Sequence, residues 1–261
     1  VMRIAGGRSL GPWVMVAVVG CAEPPAGTDP SSTGSTTEAS SSDGADGTAA
    51  EPPPTACSEP TDVVGAPRTI GEAVAFIEQL PRPLTLDCFL ERLERPLAIN
   101  ATFSTVSLQP AVGSASPRVF LFIDDLILSV AVAGDGRQLL EFGELVSQTQ
   151  SIKGELEFPI EGPLATVDAM ERVLDATGTK CRLCHGSETP SDAYAMAFVS
   201  DALRFREDVE RVSLPDLRAE YEACDPAAEP ERCARLDALF AFGEVVDAEF
   251  PPELQTIYDY E

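Results

Sequence analysis

The chain has 261 residues, with 18 Lys plus Arg against 43 Asp plus Glu and a formal net charge of −25. So acidic a chain is a poor match for nucleic acid, because phosphate binding needs clustered cations. The bland reading of the acidity is solubility and surface repulsion, and the sharper one is attraction of a basic redox partner.

Residues 1–20 have the order of a targeting segment. Arg3 and Arg8 form a basic start, Leu10 to Val19 is a short apolar run interrupted by Pro12, and Val18-Val19-Gly20-Cys21 follows. The run falls short of the roughly 20 apolar residues that span a bilayer. The tetrapeptide resembles a bacterial lipobox. That resemblance implies a lipoprotein signal peptide cleaved before Cys21, a lipid on the Cys21 thiol and, with Ala22 in place of Asp, the outer membrane as destination. Removing residues 1–20 deletes two Arg and no acid, leaving 16 basic against 43 acidic residues, a net charge of −27. Residues 22–56 then hold no Leu, Ile, Val, Met, aromatic, Lys or Arg. Such a segment cannot bury enough apolar surface to offset its ordering entropy, so residues 21–56 read as a lipid-anchored linker. As a flexible coil the linker spans roughly 30 to 35 Å on average.

About 205 residues remain from Cys57, ample for one core or two small ones. Residues 57–163 read as a helix-capped, β-rich region. Thr69-Ile70-Gly71-Glu72 has the form of a capping box, with Ile70, Val74, Ile77 and Leu80 at helical spacing before Pro81. Leu86 to Leu93 predicts a second short helix carrying Cys88. Strands are predicted over Leu97 to Phe103, Arg118 to Ile123, Leu126 to Val132 and Ile152 to Phe158, with Asp124-Asp125 as a turn. Leu139 to Val146 fits a further strand or a short helix equally well. The sum is an antiparallel sheet of four or five strands in an α+β fold.

Residues 164–261 read as mostly helical. Thr166 caps a predicted helix with Val167, Met170, Val173 and Leu174 on one face, ended by Gly178. Thr189-Pro190-Ser191 opens another through about Phe205. Met196, Val199 and Leu203 lie along one side of it, and Tyr194, Phe198 and Phe205 along another. Ser213-Leu214-Pro215 and Glu229-Pro230-Glu231 open two more, the second running through Phe242, and Pro251-Pro252 precedes a short acidic terminal helix.

Between the first two of these helices stands Cys181-Arg182-Leu183-Cys184-His185-Gly186, and His185 is the single histidine of the chain. Two thiols three positions apart, with an imidazole directly after the second, form the pattern by which haem is attached covalently. A tight turn sets both sulfurs along one porphyrin edge and lets the adjacent imidazole reach the iron from below. The stretch from about Gly178 to Pro190 thus resembles the c-type cytochromes. The resemblance implies one covalent haem c per chain, thioethers from Cys181 and Cys184, and His185 as proximal iron ligand. Small electron-carrying cytochromes of this kind usually add a second axial ligand, often a Met tens of residues downstream. Here the downstream candidate is Met196, eleven residues on, and Met170 lies upstream in a predicted core stripe. Tyr194, Phe198 and Phe205 are candidates for the apolar sleeve of the haem, or for packing on the sheet.

With lipid on Cys21 and haem on Cys181 and Cys184, the other four of the seven cysteines are left as two sequential pairs, Cys57/Cys88 and Cys224/Cys233, other connectivities being open. Export permits disulfides and periplasmic haem attachment alike. Competing readings of the Cys-x-x-Cys are a Cys181/Cys184 disulfide in a cofactor-free scaffold lipoprotein, a zinc site completed by Cys224 and Cys233, and a thioredoxin-like redox pair. Walker, Gly-x-Ser-x-Gly and His-Glu-x-x-His patterns are absent, and a histidine committed to iron leaves no general base for hydrolase chemistry. The expectation is therefore an exported haem lipoprotein of the outer membrane, facing the periplasm or the cell surface. Its role would be electron transfer or a related haem redox role, more in keeping with an electron-transfer or binding protein than with an enzyme, with the lipid membrane and a redox partner protein as its contacts. The alternative is a disulfide-stabilised surface scaffold without cofactor.

Overall fold

Thr69 starts the first helix, α1 (Ile70–Ile77), by accepting the Glu72 N–H on its hydroxyl at 3.1 Å. The other half of the predicted capping box is displaced by one residue, since the Glu72 carboxylate accepts from Arg68 N rather than from Thr69 N. Ile70, Val74 and Ile77 turn inward at helical spacing. A second short helix, α2 (Leu86–Glu91), is capped by Thr85 and carries Cys88, which is bonded to Cys57. This is a computed structural model, and it describes residues 55–259; the signal segment, Cys21 and nearly all of the linker lie outside the described residues.

The predicted strands follow. β1 (Leu97–Thr102), β2 (Arg118–Ile123), β3 (Leu126–Ala131), β4 (Leu139–Leu145) and β5 (Gln150–Glu157) form an antiparallel meander, and the ambiguous stretch at 139–146 is a strand. Asp124 takes φ +52° in the two-residue turn between β2 and β3, a conformation that Asp tolerates better than most residues.

The C-terminal half departs from the helical expectation. Its elements are α3 (Thr166–Glu171), β6 (Leu174–Asp175), β7 (Gly178–Thr179), α4 (Arg182–His185), β8 (Thr189–Pro190), β9 (Phe198–Asp201) and β10 (Leu203–Arg204). Then come α5 (Glu207–Glu210), β11 (Arg211–Val212), α6 (Leu214–Glu222), α7 (Pro230–Phe240), β12 (Val245–Asp247) and β13 (Gln255–Thr256). The predicted helix from Thr189 to Phe205 is replaced by strands. β5 offers an open edge, and Val199, Ser200 and Asp201 pair with Ile152, Ser151 and Gln150. A new ladder of hydrogen bonds outweighs a weak helical periodicity in a segment containing β-formers such as Phe198 and Val199. Met196, at φ +65°, breaks the segment where a helix would have to pass. Residues after Pro251-Pro252 form a turn and β13, paired in parallel with β10, instead of a terminal helix. Thr166 is the first residue of α3 and not its cap; the cap is Ala165, whose N–H donates to the Asp168 carboxylate at 2.7 Å. α6 and α7 stand where Ser213 and the prolines placed them, and a Cys224–Cys233 disulfide joins them.

The sheet is accordingly larger than four or five strands. It has nine, in the order β11-β1-β2-β3-β4-β5-β9-β8, with β12 running parallel to β1 along the same edge as β11. Strand alternation sends Val119, Leu121, Leu128, Val130, Leu140, Phe142 and Ile152 to one face, where they form the main core with residues of α1, α2, α3, α6 and α7. Phe120, Phe122, Ile127 and Leu145 point the other way and pack with Phe205, Ala202, Phe250 and Leu254. Phe250 is the hub of this second cluster, with ring centroids 5.0 Å from both Phe120 and Phe122 and 5.6 Å from Phe205. The architecture is α+β, and among the described residues no helix is long and apolar enough to cross a membrane.

Candidate functional site

The Cys181 to His185 stretch is delivered by a small hairpin. β6 and β7 pair Leu174 with Thr179 and Asp175 with Gly178. Gly178 sits at φ +155°, where a Cβ would lie 2.5 Å from Glu188 Oε2, so the position requires glycine. Glu188 accepts the Thr179 N–H at 2.8 Å and also bonds the Thr179 hydroxyl, which in turn accepts from Cys181 N at 3.1 Å. This chain of polar contacts sets the start of α4. Within that single turn Cys184 N and His185 N both donate to Cys181 O, at 3.1 and 3.0 Å, and Gly186 ends it at φ +71°. Residues at i, i+3 and i+4 share a helix face. Cys181, Cys184 and His185 therefore lie on one side of α4.

That side lines a cavity of about 320 Å³ on the second face of the sheet. One part of its wall is apolar, from Phe120, Ile127, Leu145, Phe205, Phe250 and Leu254. The other part is polar, from Arg118, Glu141, Lys153, Glu155 and Lys180. Arg118 donates to Ser129 Oγ at 2.8 Å and pairs with Glu141, while Lys180 pairs with Glu155 at 3.1 Å. Gly143 lies in the middle of this face, opposite Ile127 on one neighbouring strand and Lys153 on the other. A Cβ there would meet only the Ile127 carbonyl oxygen, at 3.7 Å. The missing side chain leaves room that the cavity takes up.

His185 Nδ1 lies 2.8 Å from the Asp201 carbonyl oxygen. A carbonyl can only accept, so Nδ1 carries the proton and Nε2 holds the free lone pair. Burial first, and the nearby Lys153 ammonium second, push the imidazole pKa down to about 3, which keeps the ring neutral at pH 7. The same Asp201 oxygen accepts from Lys153 Nζ at 3.1 Å, and Lys153 also bonds Ser151 Oγ. Loss of hydration pulls the Lys153 pKa down to about 8 against the opposing pull of Cys181, Asp201 and Glu188. The Cys181 thiol is pushed up, by burial above all, although its Thr179 hydrogen bond and Lys153 act in the other direction.

The residues present meet the demands of a haem c. Two free thiols and one neutral imidazole with an open Nε2 border the same cavity, an aromatic and aliphatic wall stands beside them, and a glycine leaves space in the sheet face. Of the sequence-predicted residues, Cys181, Cys184 and His185 come together. Met196 does not join them; it sits in the β8–β9 connection, 48% exposed and away from the cavity lining. Met170 is fully buried in the core on the opposite face of the sheet, as its stripe suggested. Of the three aromatics proposed as a sleeve, Phe205 lines the cavity, whereas Tyr194 donates its hydroxyl proton to Glu144 beside the start of α1. Phe198 is half-buried in β9, outside the lining. Cys224 and Cys233 are bonded to each other, so the four-sulfur zinc set is not assembled, and among the described residues no group of three or more His, Cys, Asp or Glu is placed to hold a metal ion.

Lys153, Gly143, Glu188 and the Asp201 carbonyl had no signal of their own in the sequence. Each owes its place to strand pairing or to a loop closing back on α4. Comparison of the chain with family models, with curated proteins and with solved structures gives no match.

Proposed function

We propose that this chain is an exported lipoprotein that carries one covalent haem c in the cavity on the second face of its sheet and passes electrons to or from a partner protein. The observation that carries the proposal is the convergence of Cys181, Cys184 and the neutral His185 on one largely apolar cavity. Cys181 and Cys184 would hold the porphyrin edge as thioethers, and His185 Nε2 would ligate the iron while Asp201 O fixes the ring's tautomer and direction. Haem supplies the one-electron iron couple when bound there. The aromatic wall excludes water and lowers the local dielectric. Two disulfides fit a protein made for an oxidising compartment, and Cys21 provides the lipid anchor at the outer membrane.

The test is covalency. Produced with a periplasmic haem-maturation system, the protein is expected to keep its haem through denaturation, and the double variant Cys181→Ala/Cys184→Ala to lose all of it. Met196→Ala leaves the absorption spectrum unchanged, because that side chain stands apart from the cavity. A mature protein without covalent haem, whose Cys181 and Cys184 are joined to each other, overturns the proposal in favour of the cofactor-free scaffold.

A further inference from the structure

We infer that Lys153 is a positioning residue that raises the reduction potential of the haem, by placing a half-buried cation on the carbonyl that orients His185. The inference rests on the haem reading above and goes beyond it to a residue outside the attachment motif.

Lys153 lies on β5 beside Gly143 and on the same face, and it reaches the cavity wall. Its ammonium donates to Asp201 O at 3.1 Å, and His185 Nδ1–H donates to that same oxygen at 2.8 Å. One oxygen therefore serves both groups, and this has two electrical consequences. A carbonyl already engaged by an ammonium has less electron density to offer Nδ1–H. The imidazole then keeps less imidazolate character and donates less strongly to a metal on Nε2. The positive charge, moreover, is half-buried at the cavity wall, where water screens it less than at an open surface, and it would favour the iron state with one electron more. In the haem-loaded protein the electron added on reduction would come from the redox partner. Both effects stabilise the reduced form. Opposing charge comes from the Asp201 and Glu188 carboxylates, and further positive charge from Arg118, which also acts on His185. The sharing of Asp201 O distinguishes Lys153 from Arg118 and Lys180, whose carboxylate partners are Glu141 and Glu155.

The hydrogen bonds of Lys153 to Ser151 Oγ and Asp201 O are set against the cost of desolvating its charge. Its pKa of about 8 lies below the ordinary 10.5, so at pH 7 the protonated form costs the folded state stability, and that cost is relieved only as pH rises above about 8. Lys153→Met, which keeps the aliphatic stem and removes the charge, should therefore fold at least as well as the parent.

The decisive measurement is the midpoint potential of the haem-loaded protein at pH 7 by spectroelectrochemistry, for the parent, Lys153→Met and Lys153→Arg. The expected result is a negative shift in Lys153→Met and recovery towards the parent value in Lys153→Arg, with equal haem content in all three. Haem-loaded Lys153→Met at the parent potential, or an equal fall in Lys153→Arg, overturns the inference and leaves the haem reading intact. A parent protein that carries no covalent haem overturns both.

Discussion

Gly143 leaves the sheet bare in the middle of β4, where glycine costs about 0.5–1 kcal/mol relative to alanine. Such a residue in a strand interior marks a close approach by something else, and here the open side is the cavity. If the cavity holds the proposed haem, Gly143→Leu is expected to act in opposite directions on the haem-free and haem-loaded protein. Without haem the larger side chain enters open space, and removing a glycine from the strand raises stability by about 0.5–1 kcal/mol. With haem in place the same side chain overpacks the site and lowers stability by about 1–3 kcal/mol. Denaturant unfolding of both forms reads the two signs; a variant whose haem-loaded and haem-free forms shift alike would place the haem elsewhere. The three residues of the attachment pattern were legible because their chemistry lies in adjacent positions. Gly143 and Lys153 were not, since each is ordinary until β3, β4 and β5 are laid side by side.

At the scale of elements, the two disulfides differ in what they close. Cys57–Cys88 spans 31 residues and ties the start of the described chain to α2, whereas Cys224–Cys233 spans 9 and joins two consecutive helices. Loop-closure entropy assigns the longer bridge about 3–4 kcal/mol and the shorter about 2–3 kcal/mol. Equilibrium unfolding of Cys57→Ala/Cys88→Ala and Cys224→Ala/Cys233→Ala should show the first to be the more destabilised, and the reverse order would mean that the 57–88 loop stays collapsed in the unfolded chain. Helices α1, α6 and α7 were readable because Thr69, Ser213, Pro215 and Pro230 mark their starts locally, whereas the Thr85 cap of α2 is a finding of the structure. The segment from 189 to 205 was misread because its apolar residues fit a helical stripe, while the edge of β5 that captures it, Gln150 to Ile152 against Val199 to Asp201, lies far back in the chain. That capture also brings the Asp201 carbonyl to His185.

For the molecule as a whole, the acidic charge and the lipobox-like Val18 to Cys21 bear on where it works. Cys21→Ser is expected to move the mature protein from the membrane fraction to the soluble periplasmic or secreted fraction, with its haem content unchanged. Unaltered fractionation, with no lipid on Cys21 of the parent, removes the lipoprotein assignment and leaves the haem proposal untouched.

The sequence by itself determined the α+β class, the first two helices, the Cys-x-x-Cys-His pattern and the strands of the meander from Leu97 onwards other than β4, while the pairing of Cys57 with Cys88 and of Cys224 with Cys233 was one of several open connectivities that the structure decided. What was legible is encoded within a few residues, by a cap, an alternation or a spacing. Tertiary structure alone decided that the sheet grows to nine strands, that its second face is also covered, and that a cavity with a cation opens beside the thiols and the imidazole. Those outcomes depend on which strand edge captures which distant segment, and on side chains from β2 to β5 meeting residues near 205 and 250. Local patterning carries no record of such long-range pairings; they are settled by the competition of whole surfaces for burial and of open edges for hydrogen bonds.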